Sequence, residues 1–170
     1  MSNKETIIKR LDALGVPYAR YDHPAAHTME DCLALPFAAP DVTICKNILL
    51  CNRQQTAFYL YITPGSKPFR TGTVSKLLGS SRLSFAPEEA LHSMMQVESG
   101  SLAPFGLWFS GNAPVSFAVD SDVRRTQRIA FHPCDNTTTV VFYQADFWST
   151  VVPDFGTPPI FIDVPMPEMA

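Results

Sequence analysis

Charge is the first thing this 170-residue sequence is short of. Only 17% of its residues are Asp, Glu, Lys or Arg, and 13 basic against 16 acidic side chains leave a formal charge of −3. Coating nucleic acid non-specifically requires clustered Lys and Arg, so no DNA partner is expected, although a local basic patch for one RNA end remains open. No apolar run is long enough to cross a bilayer, so no membrane partner is expected either. The opening Met1-Ser2-Asn3-Lys4-Glu5 leads straight into an amphipathic pattern with no signal-type apolar core. Cys32, Cys45, Cys51 and Cys134 form no Cys-x-x-Cys pair, which argues against a zinc knuckle or a redox dithiol. His23 and His27 are four apart, but Pro24 argues against the helix that would put both on one metal. The Gly-x-Ser-x-Gly elbow, the P-loop and the dinucleotide fingerprint are all missing. A reduced, cytoplasmic protein without metal or cofactor is expected.

What the sequence does hold is core material: 46% of it is hydrophobic, enough for one globular unit spanning 1–170. Ile7, Ile8, Leu11 and Leu14 fall on one face of a helix over Lys4–Leu14, which Gly15 stops. A short strand follows over Pro17–Asp22. Thr28 with Asp31 signals the cap of a second helix through Leu35, before Pro36. Val42–Asn52 and Ala57–Thr63 read as a hairpin around Arg53-Gln54-Gln55. Thr73–Leu78 and Pro87–Met95 read as helices, the latter with Pro87 as its first residue. Arg82–Phe85, Leu107–Phe109, Val115–Val119, Arg128–Phe131, Thr138–Tyr143 and Ile160–Val164 read as strands, and Ala145–Val152 as a helix. The pattern lacks a regular β-α-β alternation, so an α+β fold on a curved, largely antiparallel sheet is expected.

Three polar stretches could carry chemistry. In Gly100-Ser101-Leu102-Ala103-Pro104-Phe105-Gly106, two glycines free the backbone while Pro104 pins it. Such a loop can hold bare N–H groups for a carbonyl or oxyanion, or simply make a tight turn. In the strand over Ile44–Cys51, alternation puts Lys46 beside Ile44, Ile48 and Leu50, and Asn47 beside Cys45, Leu49 and Cys51. An ammonium on so apolar a strand needs an anionic or polar partner, unless it snorkels to solvent. His132-Pro133-Cys134-Asp135-Asn136-Thr137-Thr138-Thr139 could orient a substrate or a water, or form a turn in which Asp135 and Asn136 cap their own backbone. Cys134 is too close in sequence to His132 for the usual nucleophile–base arrangement and reads as a bystander thiol.

Lys46-Asn47-Ile48-Leu49-Leu50, Gly100–Gly106 and His132–Thr138, taken in this order, resemble the signature of the YbaK/ProX family of aminoacyl-tRNA deacylases. These are free-standing relatives of the editing insertion of bacterial prolyl-tRNA synthetase. Tyr59–Pro64 running into Gly65 and Lys67, and Lys76-Leu77-Leu78-Gly79 continuing to Arg82–Phe85, support the likeness. It implies a single-domain, mixed, barrel-like sheet flanked by helices and hydrolysis of a mischarged amino acid from the acceptor end of tRNA. Prolyl-tRNA synthetase is a possible second partner. Length, the first helix and the Lys46-Asn47 pair look most like the branch that clears alanine from proline tRNA. The resemblance assigns catalytic roles to Lys46, Gly100, Pro104 and His132. It assigns substrate contacts to Asn47, Ser101, Ala103, Phe105, Gly106, Asn136 and Thr138, with the adenosine 2′-hydroxyl assisting the attack. Ala103 stands where the family usually has serine or threonine, and Cys134-Asp135 also departs from its pattern. Cysteine, serine or another small amino acid as the target, and a non-catalytic RNA-binding or regulatory module, are the alternatives. Lys67, Arg70, Lys76 and Arg82, with Arg124, Arg125 and Arg128, are the candidate tRNA contacts.

Overall fold

The computed structural model describes residues 2–26, 28–35, 38–98, 100–111 and 113–166; His27 and Pro36 lie outside them. Helix α1 (Asn3–Leu14) starts where the Ser2 hydroxyl accepts the Glu5 N–H and stops at Gly15, whose φ of +70° favours glycine. Its Ile7 and Leu11 are fully buried. Strand β1 (Ala19–Asp22) leads to the short α2 (Met29–Leu33), which has the expected reciprocal cap between Thr28 and Asp31.

The expected hairpin is β2 (Val42–Cys51) with β3 (Phe58–Pro64), in antiparallel register from Cys45 opposite Pro64 to Cys51 opposite Phe58. Helix α3 (Thr71–Leu77) and the two-residue β4 (Ser84–Phe85) follow. Helix α4 (Glu88–Ala90) runs into a wider π turn over Leu91–Met95. Pro87 is its N-cap, one residue outside the predicted start. Leu107–Phe109 is not a strand. Pro104 opens a 3-10 turn over Pro104–Trp108, its fixed φ suiting a first helical position. The chain closes with β5 (Val115–Asp120), β6 (Arg128–Phe131), β7 (Thr138–Tyr143), a helical segment over 144–154 and β8 (Pro159–Ile162).

The strands form one mixed sheet in the order β1-β7-β6-β2-β3-β5-β8, with β4 also on β2. The α+β class stands as expected, but the sheet does not close, since β1 and β8 end the path. The pairings β2–β6, β3–β5 and β5–β8 are parallel; the other four are antiparallel. The main core joins Ile7 and Leu11 of α1 to Cys45, Leu49, Phe105, Phe117, Phe142 and Phe147. On the opposite face Leu50 and Tyr61 pack with Val74 of α3 and Leu83.

Strand β2 positions the site. One edge pairs with β3, while the other pairs with β6 at Val42–Ile44 and with β4 only at Leu50–Cys51. Between them β6 peels away after Phe131, and the Ala86 N–H reaches back to the Leu49 carbonyl at 2.8 Å. Residues 45–48 therefore face a notch in the sheet.

Candidate active site

The notch holds a cavity of about 200 Å³. Its wall takes Ile44, Cys45, Asn47 and Ile48 from β2, Ala130 and Phe131 from β6, and His132 and Thr139 from the polar loop and β7. Cys32 and Leu35 close it from the α2 side, and Gly100 and Leu102 from the glycine loop. The three polar stretches picked out in the sequence therefore converge on one place.

Two contacts hold the loops together. The Ala103 N–H donates to the Cys134 sulfur, tying the glycine loop to the histidine loop; burial pushes that thiol up to about 12. From the other side, the Ala26 N–H donates to the Asn136 carbonyl and the His23 N–H to that of Thr137, each at 2.9 Å. The Lys4 ammonium of α1 lies 3.8 Å from Asp135 and within 3.5 Å of the Thr137 and Thr138 hydroxyls, so the first helix braces the same loop.

The state of His132 follows from its partners. Nδ1 lies 2.9 Å from the Thr138 carbonyl, which can only accept, so Nδ1 carries the proton. Nε2 is then a lone pair, 3.3 Å from the Cys32 thiol. Burial holds the imidazole below its ordinary pKa, partly offset by the Thr138 carbonyl, and so favours this neutral form. The Thr139 hydroxyl is 3.2 Å from His132 Nδ1 and 2.8 Å from His23 Nε2, linking the two rings. Across the strand from Asn47, the Lys46 ammonium donates to the Lys67 carbonyl at 2.5 Å, and burial lowers its pKa.

A model of the aminoacyl-tRNA editing domain matches residues 23–148, a span that covers every residue of this cavity. The chain belongs to the aminoacyl-tRNA editing domain family. It is therefore an aminoacyl-tRNA deacylase, a hydrolase of the ester between amino acid and tRNA. The editing domain is 29% identical over 146 residues, 86% of its length and 88% of the relative's, to the prolyl-tRNA editing protein ProX of Acetoanaerobium sticklandii. It is 26% identical over 164 residues, 91% of either chain, to prolyl-tRNA synthetase associated domain-containing protein 1 of Bos taurus. Among solved structures, a candidate trans-editing enzyme for prolyl tRNA synthetase superposes with a TM-score of 0.71 at 15% identity, over 97% of this chain and 99% of that one. At that identity the likeness is one of fold.

Within the editing domain, Lys46, Asn47, Gly100 and His132 all border the cavity. Ala103, Pro104, Phe105 and Gly106 are not among its lining residues: all four are buried in the 3-10 turn or at its start, and Phe105 packs among Trp108, Phe131 and Phe142. A Cβ on Gly106 would come within 2.9 Å of the Met95 sulfur, so this glycine serves close packing. Ser101 caps a turn, its N–H donating to the Glu98 carbonyl at 3.1 Å. Thr138 is buried with its hydroxyl on Asp22 at 2.8 Å; its neighbour Thr139 faces the cavity instead.

Lys67 does not reach a phosphate. It is 1% exposed, and its ammonium is held by Asp120 at 2.8 Å, Asp122 at 2.7 Å and the Val164 carbonyl at 2.8 Å. Arg128 is clamped by Asp41, and Arg125 is paired with Asp122. Arg70, Lys76 and Arg82 are exposed, on the segment whose Phe69, Val74 and Leu83 cover the same face of β2 that carries Lys46. Cys32, Leu102 and Thr139 are cavity residues that sequence reasoning passed over. Only the residue after Thr138 in the polar run hinted at one of them.

Proposed function

We propose that this editing domain removes alanine from mischarged proline tRNA. The observation that carries this reading is the cavity: about 200 Å³ walled mainly by small and aliphatic side chains, below the roughly 300–1,000 Å³ of pockets that enclose whole small-molecule ligands. Such a space takes an aminoacyl group and leaves the terminal nucleotide outside. A synthetase pocket shaped for proline cannot refuse a smaller alanine sterically, since missing methylenes discriminate by only about 1–3 kcal/mol. A second, smaller pocket corrects the error. The name of the ProX relative, a prolyl-tRNA editing protein, supports proline tRNA as the carrier.

In the hydrolysis, water adds to the ester carbonyl carbon, the bond to the ribose 3′-oxygen breaks, and that oxygen takes up the proton the water gives away. Among the described residues, the two thiols on the cavity wall are not activated, since burial raises Cys32 and Cys45 above their ordinary range. As the family resemblance implies, the 2′-hydroxyl of the terminal adenosine assists. Main-chain N–H groups at Gly100 and at the open edge of β2 meet the developing oxyanion. The His132 lone pair accepts from the attacking water. The Lys46 ammonium, anchored on the Lys67 carbonyl, steers the terminal nucleotide, and Arg70, Lys76 and Arg82 receive the acceptor stem.

The test is a panel of alanyl-, cysteinyl-, seryl- and prolyl-tRNA(Pro) with the purified protein. Release of alanine well ahead of proline is the expected result. Preferential release of cysteine or serine reassigns the substrate, and binding without turnover of any ester refutes the deacylase mechanism.

A further inference from the structure

Among the described residues, one buried side-chain polar atom has no hydrogen-bond partner: Oδ1 of Asn47. The orientation of that amide is fixed by its other end. Nδ2 donates to the Cys45 carbonyl at 3.3 Å. A carbonyl only accepts, so turning the amide over would set oxygen against oxygen. The free end is therefore an acceptor, and Asn47 stands on the cavity wall. An orphaned acceptor at the wall of a site calls for a donor that arrives with the ligand.

The chemistry of the wall narrows what that donor is. No Asp or Glu lines the cavity among the described residues. Lys46 also borders the cavity, but its ammonium is already bound to the Lys67 carbonyl. In an aminoacyl ester the carbonyl and ester oxygens only accept. Apart from the ribose 2′-hydroxyl and the attacking water, which the hydrolysis itself engages, the α-amino group supplies the donors at the acyl end. We infer that Asn47 Oδ1 is the acceptor for the α-amino group of the aminoacyl ester, a role that rests on the deacylase reading above and specifies its substrate.

Two consequences follow for the substrate class. A free α-amine is required, because an acylated nitrogen keeps a single N–H and brings its acyl bulk into about 200 Å³. Formylated and peptidyl-tRNA are thereby excluded. Recognition is also by direction rather than by charge, since an amide oxygen can accept from the ammonium and from the neutral amine alike.

The experiment measures kcat/KM on alanyl-, N-acetylalanyl- and propionyl-tRNA(Pro), each rate divided by its hydrolysis in buffer. The wild type is compared with Asn47→Leu and Asn47→Ser. Binding of the non-hydrolysable 3′-alanylamido- and 3′-propionylamido-adenosine is followed by NMR titration beside it. The wild type is expected to favour alanyl over propionyl by roughly tenfold or more, the scale of a donor lost from a built acceptor site. N-acetylalanyl-tRNA should decay at the buffer rate. Asn47→Leu should abolish the alanyl preference. If Asn47→Leu does not fold, the smaller Asn47→Ser carries the comparison. Equal losses on alanyl and propionyl esters with the preference intact would assign Asn47 a purely structural role and overturn the inference. A wild type that hydrolyses all three esters alike would overturn it too. A wild type that hydrolyses none, yet binds the alanylamido ligand preferentially and through Asn47, would sink the deacylase reading and leave this subsite standing.

Discussion

Replacing Lys67 with methionine should unfold the protein's margin from a position that never touches the cavity. Lys67 and Asp120 are 1% and 0% exposed, with their charged groups 2.8 Å apart. Methionine keeps much of the stem and deletes the charge. Asp120 then keeps the Thr63 hydroxyl at 2.8 Å and the Asp122 N–H at 3.0 Å, so each oxygen retains one donor. What it loses is its counter-charge. Breaking a buried pair from one side costs about 3–5 kcal/mol, and the retained donors place this case near 3. For a chain of this size that is a fall in Tm of about 6–12 °C. Urea unfolding with linear extrapolation measures it directly. The two carboxylates hold the Lys67 pKa above the ordinary lysine range, although burial, the largest single influence, works against them. Because the folded value exceeds the unfolded one, the stabilisation is complete below about pH 10.4 and disappears only as pH rises through the folded value. Measurement near pH 7.5 therefore reads all of it. Adding Asp120→Asn to Lys67→Met should recover about half or more of the loss, since the stranded charge is gone. A single variant within about 1 kcal/mol of wild type, or a double variant no better than the single, would refute the reasoning.

Lys46→Ala is expected to remove most deacylase activity while leaving the circular dichroism spectrum and the urea midpoint close to wild type, because its ammonium bonds a loop carbonyl rather than a buried charge. Since burial lowers the Lys46 pKa, activity should fall on the alkaline side earlier than an ordinary lysine would require. His132 titrates below the ordinary imidazole range, so its contribution to stability is present above about pH 6.5 and lost as pH falls through the lowered value. A pH series of urea midpoints on wild type and His132→Gln checks the sign. Thr139→Val should disturb the His132 tautomer in nitrogen NMR and slow turnover, with Thr139→Ser restoring both. Arg82→Ala should reduce the slope of log affinity against log salt for tRNA by about 1, whereas a folded Lys67 variant should leave it unchanged.

Local signals read well where one stretch decides its own structure. The face of α1, the Thr28–Asp31 cap and the β2–β3 hairpin all follow from neighbouring residues, as does the split of Lys46 and Asn47 to opposite faces of β2. Leu107–Phe109 reads as strand because its residues are apolar, yet Pro104 at the start of a helical turn and the close approach of Met95 to Gly106 decide otherwise. The parallel partners of β2, β3 and β5 depend on crossovers that no local pattern encodes. Lys67 has the composition of a phosphate contact and becomes an interior cation only through Asp120 and Asp122, more than fifty positions away. Cys32 enters the cavity wall because α2 folds over a histidine one hundred residues further on. The motifs could name the walls of the site, but which of their side chains turn inward is settled by distant packing.

A length of strand left open along one edge gives this family member an evolutionary latitude that an ordinary buried pocket lacks. Between β6 and β4 one edge of β2 has no strand neighbour among the described residues along 45–48, while the other edge stays paired with β3, so changing the bulk of Leu35 or Leu102 resizes the chamber without unzipping a ladder. Selectivity for one amino acid over another can thus drift by single substitutions at little expense to the scaffold, and close relatives with different targets need share nothing but the unzipped edge.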